Sequence, residues 1–182
     1  MRLGPMRRAG PVLLLTAIWA CEGNDAPVGP EAGARVSAST SPDLSALAKY
    51  VDGPLDLPTD LVQQLIGPAG GSLSIGGFET VVPPGAVSIP TLFTILVSLG
   101  DERVHAEFGP HDQTFLQPVT LRTPYLGTTA EGKAVRVLWW DGASWVPLET
   151  TVTADGRLEA STTHFSEYGT EEELRGITVS GG

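Results

Sequence analysis

From about residue 61 the chain runs in short apolar or alternating stretches, separated every eight to twelve positions by Gly, Pro, Asp, Ser or Thr. A period of two sends successive side chains to opposite faces of a strand, and turn residues at this spacing mark an antiparallel sandwich or barrel. The pattern predicts nine short strands, over 61–66, 72–75, 78–82, 92–99, 104–108, 119–123, 135–141, 145–149 and 158–168. The expected fold class is all-β, an antiparallel β-sandwich with almost no helix. The first stretch, "DLVQQLIG", is ambiguous, because Leu61, Leu65 and Ile66 also suit one helical face and the following Gly-Pro ends either element. A strand is favoured.

Two places in the pattern carry more than fold. Asp141 and Gly142 mark a hairpin, and a loop of two or of four residues gives the same parity. Val137, Trp139, Val146 and Leu148 then share one face, and Leu138, Trp140 and Trp145 share the other. If the first face fills the sandwich, the second leaves aromatic surface exposed unless the tether, tail or a loop covers it. That patch is a candidate binding site, although cross-strand Trp pairs also stabilise hairpins without a ligand. In the last strand, Leu158, Ala160, Thr162 and His164 fall on one face and Phe165 on the other. A large aromatic outside with histidine in its place is unfavourable, so a bulge or bend is predicted between Ala160 and Phe165.

Ahead of residue 61 the composition changes. "MRLGPMRRAG" is a basic n-region and "PVLLLTAIWA" a ten-residue apolar run, too short for the about 20 residues that span a bilayer. Residues 1–20 are expected to be a secretory signal peptide. Residues 21–60, rich in Gly, Ala, Pro, Ser and Asp, read as a disordered, flexible tether with too little apolar surface to offset ordering. Within it "SPDLSALAKYV" offers a short helix, with Ser41 as N-cap and Pro42 at the first helical position. Residues 61–169 form the sandwich and 170–182 an acidic tail.

The stretch "AIWAC" resembles the lipobox of bacterial lipoproteins, in which the signal is cut before a cysteine that then carries lipid. Ile18 and Ala20 fit the pattern, whereas Trp19 is larger than the residue usual there. Cys21 is the single cysteine of the chain and so has no intrachain disulfide partner. The resemblance implies export across the inner membrane and a lipid anchor on Cys21 in the cell envelope; a free thiol after cleavage nearby is the alternative.

Charge narrows the partners. The 182 residues carry a net charge of −10. Removal of Arg2, Arg7 and Arg8 with the signal leaves eight Lys and Arg against 21 Asp and Glu, or −13. Phosphate backbones repel such a chain, so nucleic acid is not an expected partner.

Metal sites gain little support. Asp52, Asp56 and Asp60 are spaced by four, but Pro54 and Pro58 break any helix that would align them, and no liganding loop with its glycine and terminal glutamate is present. His105 and Glu107 share a face while His111 lies beyond a turn, an incomplete ligand set for zinc. No metal or cofactor is expected.

Five motifs occur in order: "GPAGGSLSI" at 67–75, "VVPPGAVSIPTLFTI" at 81–95, "EFGPHDQTFLQPVTLRTPY" at 107–125, "LWWDGASWVPL" at 138–148, and "HFS" at 164–166. Together they resemble the bacterial branch of the ZU-five domain, the zonula-occludens and netrin-receptor domain also found in ankyrins. The glycine run lacks the lysine and following helix of a phosphate-binding loop and reads as turn scaffolding. In some eukaryotic relatives of that domain, and in the similar autoproteolytic sandwich of adhesion receptors, a His-hydrophobic-Ser/Thr triplet cuts its own chain. The resemblance implies a candidate site at His164, Phe165 and Ser166. Ser166 Oγ would attack the Phe165 carbonyl carbon, His164 would take the hydroxyl proton, and water would hydrolyse the resulting ester. The structural alternative is that Phe165 plugs the sandwich while His164 and Ser166 satisfy backbone groups at a bend. A nucleophile-base-acid set, metal cluster or cofactor loop for a conventional enzyme is not legible. The sequence therefore reads as a non-enzymatic envelope lipoprotein presenting an interaction or structural module to an unknown protein or glycan, with a self-cleaving sandwich as the alternative.

Overall fold

The computed structural model describes residues 41–172. Cys21, the signal segment, residues 22–40 and the tail beyond Glu172 lie outside the described residues. The described chain is an all-β sandwich of two antiparallel sheets. One has six strands in the order β1 (Leu61–Ile66), β4 (Thr91–Val97), β5 (His105–Gly109), β11 (Glu167–Thr170), β7 (Val137–Trp140) and β8 (Trp145–Pro147). The other has five, in the order β2 (Gly71–Ile75), β3 (Phe78–Val82), β6 (Val119–Pro124), β10 (Arg157–Thr162) and β9 (Thr150–Val152).

Alternation in the sequence becomes alternation of burial. Phe78, Thr80 and Val82 of β3, Phe93, Ile95 and Val97 of β4, and Val119, Leu121 and Thr123 of β6 all face the interior. Their aromatic rings meet between the layers: Phe78 lies edge-on to Phe108 and Phe108 edge-on to Tyr168, with centroids 6.3 and 5.5 Å apart. Such pairs add about 0.5–1.5 kcal/mol to the burial of each ring. The ambiguous "LVQQLI" is a strand, paired along its length with β4.

Among the described residues, eleven strands replace the expected nine. The three-residue β9 is too short to show a period. The predicted 158–168 strand is two: β10 pairs with β6, and after a break at 163–166 the chain enters the opposite sheet as β11, between β5 and β7. The expected bend is thus a change of sheet, which turns Phe165 inward without a histidine taking its place.

Part of the stretch expected to be a flexible tether is packed against the sandwich. Residues 43–50 lie as a strap on the six-stranded sheet, with Leu47 and Ala48 fully buried. Ala48 donates to the Thr170 carbonyl at 2.9 Å and Val104 to the Ala48 carbonyl at 2.8 Å. In place of a helix capped by Ser41 there is a three-residue 3-10 turn, Leu44–Ala46, capped by Asp43, whose Oδ1 accepts from the Ser45 amide at 2.9 Å. Leu47 needs a slot, and Gly169 supplies it: a Cβ on Gly169 would stand 2.8 Å from both Leu47 Cδ2 and the Val104 carbonyl oxygen. Composition averages over such residues; a few apolar side chains dock singly on a sheet already formed by the rest of the chain.

At the other end, the sandwich extends past residue 169. The Thr170 hydroxyl bridges the two sheets to Thr123 at 2.8 Å, and Glu171 pairs with Arg136 at 2.9 Å. The outer face of the five-stranded sheet carries a charged ladder in which Glu79 accepts from Arg122 at 3.0 Å and from Arg157 at 2.6 Å.

Candidate functional site

The sheet change at 163–166 and the β7–β8 hairpin meet at one end of the sandwich. With the β5–β6 loop and Ser41 and Pro42, just ahead of the strap, they enclose an open groove of about 640 Å³. His111, Asp112 and Gln113 line one side, Trp139, Trp140 and Asp141 another, and His164 to Glu167 the floor. Trp140 of the expected patch and the His164-Phe165-Ser166 triplet, read separately from the sequence, therefore line one groove. Its charged lining side chains apart from the histidines, Asp112, Asp141 and Glu167, are all acidic.

Phe165 is buried beneath the floor. Its ring lies 4.7 Å from Phe115, 5.7 Å from Phe93 and 5.7 Å from Phe108, centroid to centroid. That cluster holds the crossing chain to the core.

The neighbours of Phe165 are engaged with the scaffold. The Ser166 hydroxyl donates to the Trp140 carbonyl at 2.5 Å, tying the crossing to β7. The His164 ring packs edge-on against Trp139, with centroids 4.6 Å apart. The His164 carbonyl accepts from the Tyr168 hydroxyl at 2.7 Å and from the Thr162 hydroxyl at 2.9 Å. Burial pushes the Tyr168 phenol up to about 12, with the Thr162 hydrogen bond opposing the shift. Two buried hydroxyls two residues either side of His164–Ser166 thus set the bend. Sequence reading missed both, because Thr162 and Tyr168 look like ordinary strand residues; their spacing of six around a triplet off the strand's parity is the signal that could have found them.

The Trp hairpin has the expected parity. Trp139 pairs with Val146 and Trp140 with Trp145, across a four-residue loop. Asp141 closes that loop by accepting from the Ala143 and Ser144 amides at 2.8 and 2.7 Å, and these backbone donors, Ser144 foremost, hold its carboxyl below the usual range. The patch named on the opposite face divides. Leu138 is 4% exposed; its cross-strand partner is Gly169, the position over which Leu47 sits. Trp145 lies 5.5 Å from Trp140 in an edge-to-face pair and donates through its indole N–H to the Asp43 carbonyl at 2.8 Å. The strap therefore covers Leu138 and engages Trp145, and it leaves Trp140 on the groove.

The ionisable groups around β5 are spread out. His111 pairs with Glu107 at 3.5 Å, and His105 faces Asp101 at 3.5 Å and Glu167 at 3.9 Å. Burial pushes the Glu167 carboxyl up, with the His105 charge opposing. Among the described residues, no group of three His, Cys, Asp or Glu side chains is placed to hold a metal ion, and no helix is long and apolar enough to cross a membrane. Comparison with known proteins matches no family model and no curated protein.

Proposed function

We propose that this protein is a bacterial cell-envelope lipoprotein, held to the membrane by lipid on Cys21, that presents a ZU-five-like β-sandwich as a non-enzymatic interaction module. The observation that carries the reading is the groove. An aromatic wall of Trp139 and Trp140 faces the hydrogen-bonding side chains of Gln113, Asp112 and His111. Aromatic surface with a few convergent polar groups in a concave site is what a glycan or an extended peptide requires. Support for the anchor comes from the basic, apolar and Ala-Cys sequence of residues 1–21.

The test is capture from an envelope extract by the wild type and by Trp140→Ala, with Val152→Ala as a control because Val152 is exposed away from the groove. The expected result is loss of the captured partner with Trp140→Ala alone, at an almost unchanged melting temperature. An identical captured set from all three proteins contradicts the reading.

A second reading, self-cleavage between Phe165 and Ser166, is favoured by the sheet change at that bond. Ser166 Oγ would displace the Phe165–Ser166 amide nitrogen to form an ester, and water would then release the Phe165 carboxylate and leave the hydroxyl and amine on Ser166. It requires the Ser166 hydroxyl to leave the Trp140 carbonyl and the His164 ring to leave Trp139.

A further inference from the structure

Among the described residues β1 is an edge strand, with β4 on one side and no strand on the other. Its sequence, Leu-Val-Gln-Gln-Leu-Ile, holds neither charge nor proline, the devices by which exposed edges avoid pairing. The backbone phase is fixed by its first turn of ladder: the Val97 amide donates to the Asp60 carbonyl at 2.8 Å. Because the bonded and unbonded sides alternate along an antiparallel strand, the even-numbered residues face β4 and Leu61, Gln63 and Leu65 turn their amides and carbonyls to the free edge. Leu61 meets its own with the Thr59 hydroxyl, at 3.2 Å in both directions, a contact that a partner strand would displace.

The side chains of these same three residues lie on the outer face of the sheet, and there the surface is apolar. Leu61 stands opposite Leu96 and Leu65 opposite Leu92. The four are 41%, 39%, 65% and 50% exposed in that order.

We infer that β1 pairs antiparallel with β1 of a second copy about a two-fold axis through Gln63. In this register Leu61 faces Leu65 of the other copy, Gln63 faces itself, and Leu65 faces Leu61. All three residues with outward backbone groups are then bonded, and the outer leucines of both copies join in two rows that cross the axis, each running β4–β1–β1–β4. Moving the axis to Gln64 would leave Leu61 unpaired and set Leu65 against Gln63, so the leucines select the first register. A shift by one residue would put outer side chains against inner ones. The interface is self-complementary, as a two-fold dimer requires, and it is remote in sequence from the groove residues.

Gln63 gives a direct test in the full chain. Sedimentation velocity over a concentration series is expected to show a monomer–dimer equilibrium. With Cys21→Ser throughout, so that the introduced cysteine is the single thiol, mild oxidation is expected to link Gln63→Cys into a disulfide dimer and to leave Gln64→Cys unlinked. Gln63→Lys sets like charges directly opposite each other, so the dimer dissociation constant is expected to rise about tenfold or more at an unchanged melting temperature. A wild type that stays monomeric, linkage of Gln64→Cys as readily as Gln63→Cys, or a dimer indifferent to Gln63→Lys would each overturn the inference.

Discussion

Single residues decide how the chain turns from one sheet to the other. Phe165 fills the junction of Phe93, Phe108 and Phe115, so Phe165→Ala should cost about 3–5 kcal/mol in denaturant unfolding, as large aromatic deletions from packed cores do. Ser166→Ala removes a hydrogen bond at the edge of the groove and should cost about 0.5–1.5 kcal/mol. Tyr168 makes the bend sensitive to alkali. Its phenol is raised in the folded state, so the stability it supplies is full below its ordinary value of 10.0 and is lost as pH rises toward about 12. Tyr50 is shifted upward by burial as well and contributes in the same sense. Tyr168→Phe should flatten, without abolishing, the fall in melting temperature above pH 10. An unchanged pH profile would mean that Tyr168 does not hold the bend through its hydroxyl.

At the scale of elements, the strap is the piece whose role can be isolated. Leu47 sits over Gly169, and the added methyl of Gly169→Ala would meet both its side chain and the Val104 carbonyl. Overpacking of this kind costs about 1–3 kcal/mol, and Leu47→Ala should cost about 2–5 kcal/mol. Because the two share one slot, the double variant should be more stable than the sum of the singles implies; strict additivity in denaturant unfolding would argue that the strap is not seated there. The same element shows where sequence reading stops. Strands such as β3 follow from alternation in residues like Phe78, Thr80 and Val82, because burial on one face writes a period of two into the chain. The strap carries no period, since Leu47 and Ala48 are neighbours that fit a surface made by β5, β7 and β11. Of the groove, the sequence pointed to Trp140, as part of a patch with Leu138 and Trp145, and separately to His164-Phe165-Ser166, while Trp139 was read as core-facing; that these residues share one concavity depends on β11 lying beside β7, which no local pattern encodes.

For the whole molecule, the proposal is an anchored and intact module. If Cys21 carries lipid, protein from its native host should lack residues 1–20 and bear a mass increment from acyl chains, and Cys21→Ala should abolish both the increment and membrane fractionation. Cleavage would have a structural cost visible in the fold. The piece released would begin at Ser166 and include β11, which lies inside the six-stranded sheet between β5 and β7, with the buried Tyr168 and Thr170. The uncut chain keeps that strand covalently joined to Phe165 and its aromatic cluster.

Intact mass of the denatured protein, isolated from its host, tests this most directly. The account predicts a single polypeptide that retains residues 166–182, unchanged by Ser166→Ala. Two pieces divided between Phe165 and Ser166, restored to one by Ser166→Ala, would contradict it.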